Sequence, residues 1–170
     1  AQRLYQIAYG CVFDNFLGGP KLEALLAWLR TIERDERVVI FAWYRAEVDG
    51  IAQAVRAEGR ETWRVYGGED TAEALISWRK QAGGVLVVQA AMGYGWPATE
   101  AKYVVFHSRP FTASTYHQDE RRVRRPGQTR ETEVIDFVVN NTVDAKIYDD
   151  LREEKEFIDL VRDLTLQKSK

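Results

Sequence analysis

The residues best suited to chemistry lie between Gln118 and Gln128, where Arg121, Arg122, Arg124 and Arg125 place four guanidiniums within five positions. A guanidinium is planar and permanently charged and matches phosphate oxygens two at a time, so beside a transferring phosphoryl group it neutralises the charge that develops. Arg122 and Arg125 are three apart and project from one face of a helix, with Arg121 and Arg124 in the adjacent row. Pro126-Gly127 stops that helix, which sets the guanidiniums at an end close to the carboxyl edge of a sheet, where open α/β sheets bind ligands. A solvated basic helix end is the plainer alternative for such a run.

Gln89 to Pro97, with Gly93-Tyr94-Gly95 at its centre, directly follows an apolar run that ends at Val88. Glycines let backbone N–H groups approach a phosphate, although a tight turn would use the same letters. Tyr44, Tyr94 and Trp96 sit in loops after apolar runs and could stack on a base. Trp28, Trp78 and Phe41 fall at periodic apolar positions that suit a core.

Absences narrow the chemistry. No Gly-Lys dipeptide occurs, so the phosphate-cradling loop G-x-x-x-x-G-K-[ST] is missing, and by itself this chain is not expected to hydrolyse ATP. Asp35-Glu36 and Asp119-Glu120 follow helical or polar residues, unlike an acidic pair that ends an apolar strand and holds magnesium. His107 and His117 lack partners at ligand spacing, so no metal site is expected; His107 is placed at a strand end and His117 on a helix surface.

These residues need elements to carry them. Leu22, Leu25, Leu26, Leu29 and Ile32 after Pro20 form an amphipathic helix. Val38 to Ala42 is an unbroken apolar run that suits a strand buried on both faces. The alternation then repeats: helix from about Glu47 to Ala57, strand Thr62 to Tyr66, helix Thr71 to Gln81, strand Val85 to Val88, and strand Tyr103 to Phe106. A helix from about Ala113 to Arg124, a strand Val134 to Val138 and a charged helix from about Val143 complete it. Such alternation implies βαβ units and a mostly parallel sheet in a three-layer α/β domain. Residues 1–18 read as the end of a preceding element or a linker, 19–151 as the domain, and 152–170 as the rest of a terminal helix.

The 170 residues suffice for one such domain, and 45% hydrophobic with 29% charged residues describe an ordinary folded chain. A net charge of -2 excludes a polybasic nucleic-acid or membrane binder, so any nucleic-acid site must be local. One cysteine, Cys11, points to a reducing compartment, and a cytoplasmic location is expected. No apolar run approaches 18 residues, so no membrane partner is expected. The start at Ala1, with Met92 the single methionine, fits a processed initiator or a segment of a longer polypeptide equally.

The order of features resembles the second RecA-like lobe of superfamily-2 helicases, and more closely the Swi/Snf-type DNA translocases with their phage and bacterial relatives. Gln118 to Gln128 is similar to motif VI of that family, Q-x-x-x-R-x-x-R-x-G-Q, with Gln118, Arg122, Arg125, Gly127 and Gln128 matching. Val38 to Tyr44 resembles motif IV, Val87 to Pro97 motif V, and Tyr66-Gly67-Gly68 the family's aromatic and glycine turn. Gln128 stands where DEAD-box RNA helicases normally have arginine, which favours the DNA branch. The sequence departs from the family at Gln89-Ala90, in place of small hydroxyl residues, at Trp96-Pro97, at Arg124, and at Ser108, where an acid is frequent.

The resemblance implies a RecA-like (P-loop NTPase-like) fold and a motor lobe that works with an N-terminal lobe holding ATP and Mg2+. Arg122 and Arg125 would then reach ATP across the interlobe cleft, positioned by Gln118, with Gly93, Tyr94 and Gly95 lining that cleft. Tyr44, Arg45, Gln89 and Ala90 would face the DNA backbone. A non-enzymatic scaffold or binding module with the same fold is the alternative. A dinucleotide enzyme is disfavoured, because no G-x-G-x-x-G opens a helix after the first strand.

Overall fold

The computed structural model describes residues 10–12, 15–66, 71–90, 98–110, 113–123 and 131–153. Strand β1 (Cys11–Val12) pairs antiparallel with β2 (Asn15–Phe16) in a small hairpin. Helix α1 (Pro20–Thr31) follows, with proline in its first turn and Leu25 and Leu29 buried. Strand β3 (Val38–Ala42) is buried along its whole length, as its unbroken apolar run requires. Then come α2 (Arg45–Ala57), β4 (Thr62–Val65), α3 (Thr71–Lys80), β5 (Val85–Gln89), β6 (Tyr103–Phe106), α4 (Ala113–Val123) and β7 (Glu133–Asp136). A last helix, α5, spans 143–153.

The five long strands form one parallel sheet in the order β4-β5-β3-β6-β7. One face carries α1 and α2, whose Leu25, Leu29, Val48, Ile51 and Val55 pack on Val38, Ile40, Val87 and Val105. The other carries α3 and α4, with Leu75, Trp78 and Tyr116 against Val39, Phe41, Leu86 and Phe106. Helices on both faces of a parallel sheet make the three-layer α/β domain that the alternation of elements implies.

Differences from expectation lie at element ends. Helix α2 starts at Arg45, two residues early, because the Glu47 carboxylate accepts the Tyr44 N–H and so caps the first turn. Strand β7 stops at Asp136, since its neighbour β6 ends at Phe106 and offers no further ladder; one bond from Phe137 N to Phe106 O closes it. The hairpin β1–β2 has strands too short for a readable two-residue period. It docks by Phe16 on α2 at Gly50, where a Cβ would fall 1.9 Å from the Phe16 ring. Trp28 packs edge-on to Tyr103 and Phe137. Both Trp78 and Phe41 are core residues.

Candidate functional site

Strands β3 and β6 are neighbours, yet the chain leaves β3 through α2 on one face and β6 through α4 on the other. The carboxyl ends of these two strands therefore flank the switch point of the sheet, where doubly wound folds open a crevice for ligands. Two turns meet there: Trp43-Tyr44 after β3, and His107-Ser108-Arg109 after β6.

Glu47 joins them. It is 0% exposed, and its Oε2 accepts the Trp43 N–H at 3.1 Å, the Tyr44 N–H at 3.3 Å and the Ser108 hydroxyl at 2.8 Å. Its Oε1 lies 2.5 Å from Nδ1 of His107, a side chain only 1% exposed. With the carboxylate able only to accept, Nδ1 is the donor of that pair, a tautomer assigned from the network. Burying a carboxylate costs several kcal/mol unless its lone pairs are met, and here four donors meet them. The Ser108 hydroxyl also accepts the Trp43 N–H at 2.6 Å.

Strand β5 adds a third tie. The Gln89 amide donates to the Trp43 carbonyl at 3.2 Å, and the Ala90 N–H donates to the Ala42 carbonyl at 2.7 Å. Gln89 is half-buried and Ala90 buried. Tyr44 is half-buried within that turn, and Arg45, the first residue of α2, is exposed.

Arg45 lies with its guanidinium 4.6 Å from the centre of the Tyr66 ring, just past β4. The Tyr66 hydroxyl donates to Asp49 at 3.2 Å, and Arg64 pairs with the same carboxylate at 2.5 Å. Arg45 and Arg64 thus flank one aromatic ring at the carboxyl edge, a cation–π arrangement that holds a basic patch in place. Sequence reasoning missed Arg64; its signal was the alternation in Thr62 to Tyr66, which puts Arg64 and Tyr66 on one face of the strand.

Beyond β6, Arg109 is buried and Nε donates to Asp136 at 2.9 Å, while Tyr148 of α5 covers the guanidinium at 4.1 Å. Burial pushes the Asp136 carboxyl up, and Arg109 only partly offsets it. A cavity of about 240 Å³ beside the pair is lined by Arg109, Tyr116, Glu120, Asp136 and Tyr148. Burial also pushes the Tyr116 hydroxyl up. Further along the edge, Lys21 of α1 donates to Asp144 of α5 at 2.9 Å, and burial draws the Lys21 amine down despite that carboxylate.

Helix α4 runs past this cavity with Gln118 exposed and Arg121 exposed. Arg122 lies in the last turn of α4. The side chain of Arg122, together with Arg124, Arg125, Gly127, Gln128 and the Gly93-Tyr94-Gly95 segment, falls outside the described residues. His107 ends β6 as expected, and His117 is half-buried on α4, 3.8 Å from Glu120.

Comparison with known proteins gives the arrangement a context. A family model described as helicase conserved C-terminal domain matches residues 20–127. The chain is 26% identical over 131 residues to the DNA repair protein RAD5 of Yarrowia lipolytica, covering 75% of this chain and 13% of that protein. It is 25% identical over 147 residues to a Drosophila melanogaster SWI/SNF-related matrix-associated actin-dependent regulator of chromatin subfamily A-like protein 1, covering 83% of this chain and 20% of that one. Among solved structures, the C-terminal part of the Fun30 ATPase domain superposes with a TM-score of 0.70 at 21% identity, over 78% of this chain and 45% of that one. The chain therefore spans a fifth or less of the length of these curated relatives.

Proposed function

Because the chain belongs to the helicase conserved C-terminal domain family, we propose that it is the second motor lobe of an ATP-driven, DNA-stimulated helicase or translocase of the SWI/SNF type. Its fold is that of RecA-like helicase C-terminal domains. The observation that carries the reading is the run Gln118 to Gly127, which lies inside the matched segment and carries Arg122 and Arg125 three apart. In this account a first lobe holds ATP and Mg2+ through its own P-loop and acidic residues. Among the described residues no group of three or more His, Cys, Asp or Glu could hold a metal ion.

The division of labour follows. Arg122 and Arg125 neutralise charge on the γ-phosphate when the lobes close, and Gln118 and the Gly93-Tyr94-Gly95 segment complete the cleft wall. Tyr44, Arg45, Gln89 and Ala90 face the DNA backbone at the carboxyl edge, and Gln89 and Ala90 also brace the turn that carries Tyr44. Closing and opening shifts the grip on phosphate by a small step per turnover.

The test is ATP hydrolysis by a polypeptide that joins this chain to a P-loop lobe, measured without nucleic acid, with duplex DNA and with RNA. Hydrolysis stimulated by DNA and absent from the 170-residue chain alone supports the reading. Nucleotide-independent binding with no hydrolysis in the joined protein favours a scaffold.

A further inference from the structure

A carboxylate with no exposed surface is an expensive acceptor for the Trp43 and Tyr44 N–H groups, since an exposed carboxylate would meet them without the cost of burial. Glu47 does more than cap. It gathers the two N–H groups of the turn after β3 and fastens them to His107 and Ser108, which belong to the turn after β6, 60 and 61 residues away in sequence. Ser108 reinforces the tie by accepting the Trp43 N–H itself, and Gln89 holds the Trp43 carbonyl from β5. Phe16 of the hairpin sets its ring edge-on to the His107 imidazole, with centroids 6.2 Å apart. The turn is thus held by the carboxyl ends of three strands, and its path cannot shift without breaking a buried, charge-assisted network.

We propose that Glu47, with His107 and Ser108 behind it, is a positioning residue that presets the β3–α2 turn so that Tyr44 and Arg45 meet the nucleic-acid backbone without reorganisation. The proposal rests on the reading of Tyr44 and Arg45 as backbone contacts. It goes beyond that reading by naming the group that sets their geometry. Preorganisation of this kind raises affinity by removing the ordering cost from the binding step. Glu47 is wholly buried, so its effect on binding passes through the turn.

A double-mutant cycle isolates that effect. Binding of a fluorescein-labelled duplex is followed by anisotropy at low salt for the wild-type chain, Glu47→Gln, the pair Tyr44→Ala/Arg45→Ala, and the triple variant. The pair is expected to weaken binding and to reduce its salt dependence by about one phosphate contact. Glu47→Gln is expected to weaken binding by about fivefold or more in the wild-type background, and by less than about twofold in the paired background. Amide exchange at Trp43 should accelerate in Glu47→Gln while exchange of the β3 core amides holds, which general loosening of the domain would not produce.

Equal loss in both backgrounds, or no loss in a chain that the pair weakens, overturns the positioning role and leaves the interface reading intact. If the pair has no effect on binding, the interface reading falls and the positioning role falls with it. Should Glu47→Gln fail to fold, Ser108→Ala takes its place in the same cycle. That variant removes one donor to Glu47 and one acceptor for Trp43, and the same pattern of loss decides the outcome.

Discussion

Removing the Asp144 carboxylate tests how α5 is held to α1. Asp144 is 1% exposed and Lys21 6%, and the carboxylate accepts both the Lys21 ammonium at 2.9 Å and the Val139 N–H at 2.8 Å. Asp144→Ala takes the counter-charge from a buried ammonium and the acceptor from a backbone N–H. Breaking a buried pair from one side costs about 3–5 kcal/mol, a large share of the stability of a domain this size. At about 2–4 °C per kcal/mol, the melting temperature should fall by about 6–20 °C. The double variant Lys21→Met/Asp144→Leu keeps shape without charge and should recover most of that loss.

The pH dependence carries its own sign. Burial lowers the Lys21 pKa in the folded state below the ordinary lysine value of 10.5, so between the two values the unfolded chain binds more protons and stability rises with pH. Asp144→Ala deletes the strongest influence raising that pKa, which extends the rising interval to lower pH. Urea unfolding from pH 7 to 10.5 measures both effects. A single variant that loses less than about 1 kcal/mol, or a double variant no better than the single, refutes the electrostatic argument.

Three other expectations are open to direct measurement. Gly83 has φ +78°, and a Cβ there would lie 1.7 Å from the Arg34 carbonyl oxygen, so Gly83→Ala should destabilise by about 1–3 kcal/mol in urea unfolding. Gly50→Ala should lever Phe16 off α2, and because both changes act on one contact, its cost should shrink when Phe16 is already alanine, as a thermal double-mutant cycle would show. Glu58→Ala breaks an exposed pair with Arg30 and should change the melting temperature by no more than about 2 °C, as exposed pairs contribute little.

The centre of the sheet was legible because its strands are apolar on both faces: Val38 to Ala42 and Val85 to Val88 admit no other reading once helical segments separate them. Helix α2 hid its start because Glu47 looks like a surface residue in the sequence, whereas in the fold it is buried by partners 60 and 61 residues away. The same distance hid the Glu47–His107–Ser108 network altogether, since no local spacing reports a contact across two strands. Ser108, noted only as a departure from an expected acid, meets an acid supplied by α2 instead. Gln89 and Ala90, expected by motif position to face the DNA backbone, also tie β5 to the turn after β3, through the Gln89 amide on the Trp43 carbonyl and the Ala90 N–H on the Ala42 carbonyl, contacts that motif position does not report. The arginine run was visible as composition, while Lys21–Asp144 was not, because each is an ordinary charged residue until the fold removes it from water.

The most direct measurement is the turnover of a two-lobe polypeptide containing this chain, with DNA saturating, before and after Arg125→Ala. The account predicts a loss of about 10³-fold or more in kcat with the fold and DNA affinity retained, the magnitude of an arginine that stabilises phosphoryl transfer. A loss below about tenfold would contradict it and remove Arg125 from the transferring phosphate.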